Sequence, residues 1–340
     1  MSAFQAKNLL NKFGPLLGLL LVYGLFAIIG PDSFATIRNA ETIARQTSII
    51  GIAALGMTMV IILGGIDLSV GSIVALSTVT IAAILQFLVT RGEQASAAIE
   101  LFDIQVGIGV ALLAALAGIA IGALAGFVNG IIITRLRVVP FIVTLGTLLL
   151  IRGAAKGLAH EQKVNAPLSW LNDLLASLAP DQRWMMVAPG VWVMIFLALL
   201  VAGLLRYTKL GRHIYAVGSN EQTARLCGVA VERVKLTVYT LAASLAGLAG
   251  VMQFSRLSVG DPTVAIGLEL DVIAAVVIGG GSLSGGEGSV MGTMVGALIM
   301  AVIRSGCSQM GLPNWVQEIL TGIIIVLAVA LDRLRHRRAK

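Results

Sequence analysis

The sequence predicts an all-α protein: a polytopic membrane helical bundle of about ten transmembrane spans, with two helices broken by glycine-rich strings. Three observations predict it. Of 340 residues, 57% are hydrophobic and only 12% are charged, against about 25% charged residues in soluble globular chains. Apolar runs of the length that crosses a hydrocarbon core recur along the whole chain. Two strings rich in Gly and Ser, at 64–72 and 279–289, interrupt apolar runs.

Taken in order, the spans fall near 14–30, 46–64, 70–89, 105–128, 138–158, 185–205, 236–255, 271–281, 289–304 and 315–331. Lys7 and Lys12 precede the first, as in a secretion signal, but so many apolar spans follow that it reads as a retained span. The eighth is too short to cross alone, and the stretch 129–134 blurs the end of the fourth. An even number of spans puts both termini on one side. Most of the 24 Lys and Arg residues lie there, among them Arg135, Arg137, Arg206, Lys209, Arg212, Arg233 and the tail 333–340. The positive-inside rule therefore places both termini in the cytoplasm. The basic tail is short and directly follows an apolar span, so it reads as an orientation anchor and not as a nucleic-acid contact. Everything from 1 to 340 belongs to a single transmembrane domain.

Gly118, Gly122, Gly126 and Gly130 recur at four-residue spacing on one helical face. Small residues so placed let two helices approach closely in lipid, and packing is their expected role. Cys227 and Cys307 are far apart, and His160, His213 and His336 form no spaced pair. No disulfide framework, metal site or catalytic set is expected.

The two interrupted stretches share the pattern G-G-x-x-L-S-x-G, with Gly64, Gly65, Leu68, Ser69 and Gly71 aligned on Gly279, Gly280, Leu283, Ser284 and Gly286. Paired interrupted helices line the solute site in many transporters. Backbone groups freed at a break cannot face lipid and must be buried in protein or line a wet cavity. Gly64, Gly65, Asp67, Ser69 and Gly71 of the first break, with Ser282, Ser284 and Gly286 of the second, are thus the candidate lining of a translocation pathway. Asp67 is either a cap on the helix that follows, accepting from the break's own N–H groups, or a direct solute contact. The pentapeptide LSGGE, 283–287, spells the signature loop of ATP-binding-cassette (ABC) ATPases. The chain nevertheless has no G-x-x-x-x-G-K-[ST] string to cradle phosphates, and its longest hydrophilic stretches are far below domain size. LSGGE is read as a helix break.

Between the sixth and seventh spans, 206–235 lies on the basic side. Gly218 and Ser219 are expected to open a turn, Ser219 or Asn220 to cap a short helix with Glu221 in its first turn, and Gly228 to end it. Glu221 and Arg225, at i and i+4, can pair with each other or with a partner. From spacing alone this is either a docking knob or a plain connecting loop.

Three long stretches carry a resemblance: GMTMVIILGGIDLSVGS (56–72), GRHIYAVGSNEQTARLCGVAVERVKL (211–236) and LELDVIAAVVIGGGSLSGGEGSVMGT (268–293). They resemble, in order, the permease subunits of ribose-type ABC sugar importers. The resemblance implies a multi-pass protein of the bacterial inner membrane that works as a pair of permease subunits. It further implies an ABC ATPase subunit that binds the ATP, so no cofactor in this chain, and a periplasmic sugar-binding protein docking on 161–184 and 258–271. Asn220, Glu221, Ala224, Arg225 and Gly228 match the family's ATPase-coupling loop; Cys227 departs from the small polar residue expected there. Alternative readings are a branched-chain amino-acid-type ABC permease, an ion-coupled secondary transporter and an intramembrane hydrolase.

Overall fold

The computed structural model describes residues 3–94, 103–178 and 185–337. Twelve α-helices account for most of them. Helix α1 (Ala3–Ile29) is followed by α2 (Ile37–Ile62), α3 (Val70–Gln94), α4 (Asp103–Leu136), α5 (Pro140–Leu158) and α6 (Pro189–Tyr207). Two short helices, α7 (Lys209–Ser219) and α8 (Glu221–Leu226), lead to α9 (Val231–Leu257), α10 (Leu268–Ile278), α11 (Val290–Gln309) and α12 (Asn314–Arg337).

Among the described residues, seven helices are long and apolar enough to cross a membrane; 14–29 and 314–327 are shorter apolar stretches, and α10 has 11 residues. The architecture is all-α and polytopic, and seven of the ten expected spans are matched by helices of crossing length. The boundaries move for local reasons. The second helix begins at Ile37 and not near 46, because the Thr36 hydroxyl accepts from the Asn39 N–H at 3.3 Å and caps it. The fourth runs on to Leu136 without a break at Asn129 and ends before Pro140, which opens α5 as Pro189 opens α6. The basic tail continues α12 as far as Arg337; 338–340, like 179–184 of the expected docking loop, lie outside the described residues.

Helix α2 is the axis. It is apolar on every side over its second half and buried there, packed by α9, α11, α10 and α6. Helices α2 and α11 run antiparallel and are tied at both ends. Thr58 and Thr293 share a hydrogen bond of 2.8 Å near one end, and Ser305 Oγ donates to Asn39 Oδ1 at 2.7 Å near the other. The glycine stripe of α4 packs as expected. A Cβ on Gly122 would lie 2.5 Å from the Ala243 carbonyl oxygen of α9, and one on Gly130 would lie 3.0 Å from Leu236 Cα. The missing side chains let the two helices approach closely.

At the end of the bundle away from α7 and α8, a two-residue antiparallel ladder joins β1 (Val164–Asn165) to β2 (Val259–Gly260). It draws together the two loops read as a docking surface. Lys163 pairs with Asp261 at 3.4 Å, and Asn172 Nδ2 donates to Ser258 Oγ at 2.8 Å. Burial alone would raise Asp261, but the Thr263 hydroxyl and amide and the Lys163 ammonium more than offset it, so its carboxyl sits below the usual range.

Candidate functional site

Both breaks begin with the same helix ending. At the end of α2, Gly64 takes φ +84° while its N–H donates to the Ile61 carbonyl (2.9 Å) and Gly65 N–H reaches back to Val60 (2.9 Å). At the end of α10, Gly280 takes φ +92°, with Gly280 N–H to Val277 (2.9 Å) and Gly281 N–H to Val276 (2.8 Å). Each is a Schellman ending, in which a left-handed residue satisfies the last carbonyls. This corrects the sequence alignment of the two strings. Gly64 corresponds to Gly280 and not Gly279, and the helix starts pair Ser69 with Ser289 and not with Ser284. The Ser69 carbonyl accepts from Ile73 N–H (2.9 Å) as the Ser289 carbonyl accepts from Thr293 N–H (3.0 Å). The shared letters L-S-x-G fall in different places, because the second break is longer.

Within the first break, Asp67 and Ser69 are completely buried. Asp67 Oδ1 accepts from the Ser69 amide (2.8 Å) and hydroxyl (2.6 Å), and Ser69 Oγ accepts from Asn129 Nδ2 of α4 (3.1 Å). Of the two roles open to Asp67, the structure shows the local one, an acceptor for the break's own N–H just before α3. Gly65 lies beneath the Tyr239 hydroxyl of α9, and Gly71 beneath the Glu269 carboxylate and the Ala265 carbonyl, each so close that a methyl group would collide.

The second break is a tight series of left-handed glycines, Gly280, Gly285 and Gly286, closed by Ser282 N–H to the Glu287 carbonyl at 3.1 Å. Ser282 is buried, whereas Ser284 is exposed. The breaks touch through backbone alone: Gly286 N–H donates to the Ile62 carbonyl at 2.8 Å, and a Cβ on Gly285 would lie 3.0 Å from Gly64 Cα. Gly64 and Gly286 are thus brought together. Ser69 is held from α4 instead, with Asp67 bonded to it, and Gly71 belongs to a separate contact.

Helix α7 closes this junction. The sequence reading placed a turn at Gly218 and Ser219; both belong to the last turn of α7, and the correction matters. Thr208 caps α7 through the Gly211 N–H (3.1 Å), and Gly211, Ile214 and Val217 face inward at three-residue spacing. Gly218 then rests on the Ile62 carbonyl with no room for a side chain, 2.6 Å separating its carbonyl oxygen from a Cβ built on Gly285. Tyr215 Oη donates to the Gly288 carbonyl at 2.8 Å, and burial pushes its phenol up, so it stays a donor at neutral pH.

Helix α8 forms as expected. Asn220 Oδ1 accepts from Thr223 N–H at 2.9 Å, Ala224 is buried, and Gly228 at φ +84° supplies another Schellman ending. Glu221 pairs with Lys235 (2.8 Å) and Arg225 (3.5 Å), and Arg225 also pairs with Glu232 (2.5 Å). The hydrogen bond to Glu232 comes first among the causes that hold Arg225 above its usual range. With its charges turned to the foot of α9, α8 presents Leu226, 89% exposed, away from the bundle.

Sequence reasoning missed Asn129, Tyr215, Tyr239 and the ion pair of Arg304 with the buried Asp271. It also missed Arg152, whose guanidinium donates to the Pro262 and Val264 carbonyls at 3.0 and 2.7 Å. The signal was there: an amide or guanidinium inside an apolar run needs a partner.

Residues 39–329 match the family model described as branched-chain amino acid transport system / permease component. The chain is 39% identical to the ribose import permease protein of Escherichia coli (strain K12) over 98% of this chain and 97% of that one. It is 37% identical to the ribose import permease protein of Bacillus subtilis (strain 168), over 96% and 94%. It is 34% identical to the L-arabinose ABC transporter permease protein of Azospirillum brasilense, over 98% and 91%. No solved structure matches the chain.

Proposed function

The chain belongs to this permease-component family, and on that premise we propose that it is the membrane-spanning permease subunit of an ABC importer for a monosaccharide. The sugar is delivered by a periplasmic binding protein to the surface that β1 and β2 hold together, and passes along a pathway lined by the two breaks. Both termini lie in the cytoplasm of a bacterial cell, the chain works with a second permease subunit, and a separate ATPase subunit binds and hydrolyses the ATP. The observation that carries this reading is the continuity between α8, α7 and the breaks. A helix with an exposed Leu226 is joined through one residue to a helix whose last turn rests on the junction of Ile62 and Gly286. Motion of a motor docked on α8 reaches the pathway by direct contact, a two-state element biased from one side. Asn220, Glu221, Ala224, Arg225 and Gly228 build that docking element and perform no bond chemistry.

The test is reconstitution in vesicles with the ATPase and binding protein. Ribose or arabinose uptake that follows ATP supports the reading; uptake by the chain alone, or driven by an ion gradient, overturns it. Replacing Glu221 or Gly228 with a bulky residue uncouples hydrolysis from uptake, while hydrolysis that still tracks loaded binding protein in both variants removes α8 from the docking role. The family description favours one second reading, a branched-chain amino-acid permease; leucine uptake under the same conditions with no sugar uptake would establish it.

A further inference from the structure

We propose that the end of the α2–α11 seam opposite the breaks is a binding site for a neutral, polyhydroxylated solute the size of a monosaccharide. A groove of about 390 Å³ opens there, within the range of small-molecule sites, about 300–1,000 Å³. Its walls are two helix faces. Asn39, Thr42 and Gln46 follow one another on α2 at i, i+3 and i+7, and Ser305, Ser308 and Gln309 on α11 at i, i+3 and i+4. Each lining side chain carries a hydrogen-bonding group, in a chain that is 57% hydrophobic. The polar stripe descends from Asn39 to Gln46, about 10 Å along the helix, and Gln46 Oε1 at its foot is buried with no partner. An unpaired buried amide oxygen is destabilising, so this atom calls for a donor that the protein does not supply.

The chemistry selects the solute class. Hydroxyls and amides both donate and accept, as sugar hydroxyls do. No carboxylate lines the groove, so an amino acid's ammonium group finds no counter-charge, and the single cation, Arg38, stands on the first turn of α2. The assignment rests on the permease reading and narrows its substrate to the sugar branch.

The experiment uses the assembled importer in nanodiscs, with Ser308→Cys modified by N-ethylmaleimide and the label read at position 308 by peptide mass. D-ribose or L-arabinose at about ten times its Kd slows modification about tenfold, because only the unoccupied fraction reacts. L-leucine does not slow it, and the protection is lost when Gln46→Leu is added. Equal rates with every solute, or protection by leucine, overturn the assignment. Should Ser308→Cys fail to insert, hydroxyl-radical footprinting of 305–309 in the native chain reads the same protection. ATP-driven sugar uptake with no protection overturns the groove alone; no sugar uptake by the same importer overturns the permease reading beneath it.

Discussion

The first and second breaks leave their helices through the same glycine-capped turn and then diverge. The first spends its polar groups inward: Asp67 and Ser69 are fully buried, Ser69 donates its amide and hydroxyl to Asp67 Oδ1, and Asn129 from α4 donates to Ser69. The second has few side chains to spend. It relies on left-handed glycines, leaves Ser284 exposed, and receives its outside contacts from Tyr215 and Gly218 of α7. One break is fixed in the bundle by side chains; the other is shaped by backbone and touched by α7. The difference separates an anchored break from one held by backbone contacts, two arrangements that a shared sequence pattern does not distinguish.

Substitutions break or sharpen this contrast, and the largest effect is expected where the breaks meet α7. Gly218→Val drives a side chain into the Ile62 carbonyl; overpacking of about 1–3 kcal/mol is expected to push α7 off the junction and to lower uptake more than any other change here. Wild-type uptake in vesicles would mean that α7 does not bear on the junction. Asp67→Ala leaves the buried Ser69 amide and hydroxyl without their acceptor and is expected to lower stability by about 1–3 kcal/mol, read as a drop in the unfolding midpoint. Asp67→Asn keeps an acceptor, so it should impair uptake more than membrane insertion. If both variants match the native chain in midpoint and uptake, the first break is not anchored by this carboxylate. Tyr215→Phe removes one hydrogen bond to the second break, worth about 1 kcal/mol. Sugar uptake per ATP hydrolysed should fall while the unfolding midpoint barely moves, and an unchanged ratio would make the contact ornamental. The smallest effect belongs to Arg225→Ala. Its pairs are exposed, and such pairs contribute little, so the midpoint should stay put; a clear drop would show that α8 depends on them for its place.

Much of this was legible in the residues. Span order followed from apolar runs, the α4 stripe from glycines four apart, and α8 from Asn220 and Gly228, because each rests on local geometry with a fixed period or a fixed cap. Helix α7 was not read, although Thr208 and the inward spacing of Gly211, Ile214 and Val217 carried the signal; its mixed, partly charged composition hid the pattern. The register of the two breaks was misread, because matching letters were weighed above helix ends. The contact of Gly218 with Ile62 joins residues far apart in sequence through a carbonyl oxygen, and no residue type announces that.

The pair of hydrogen bonds that rivets α2 to α11, Thr58 with Thr293 and Asn39 with Ser305, makes the two helices one lever. Sliding one along the other would break both bonds at once, so the pair is set to tilt. A nudge delivered where Ile62 meets Gly286 would then carry the far end of both helices, and the hydroxyl-lined groove between them, as one piece, without any signal having to travel from residue to residue.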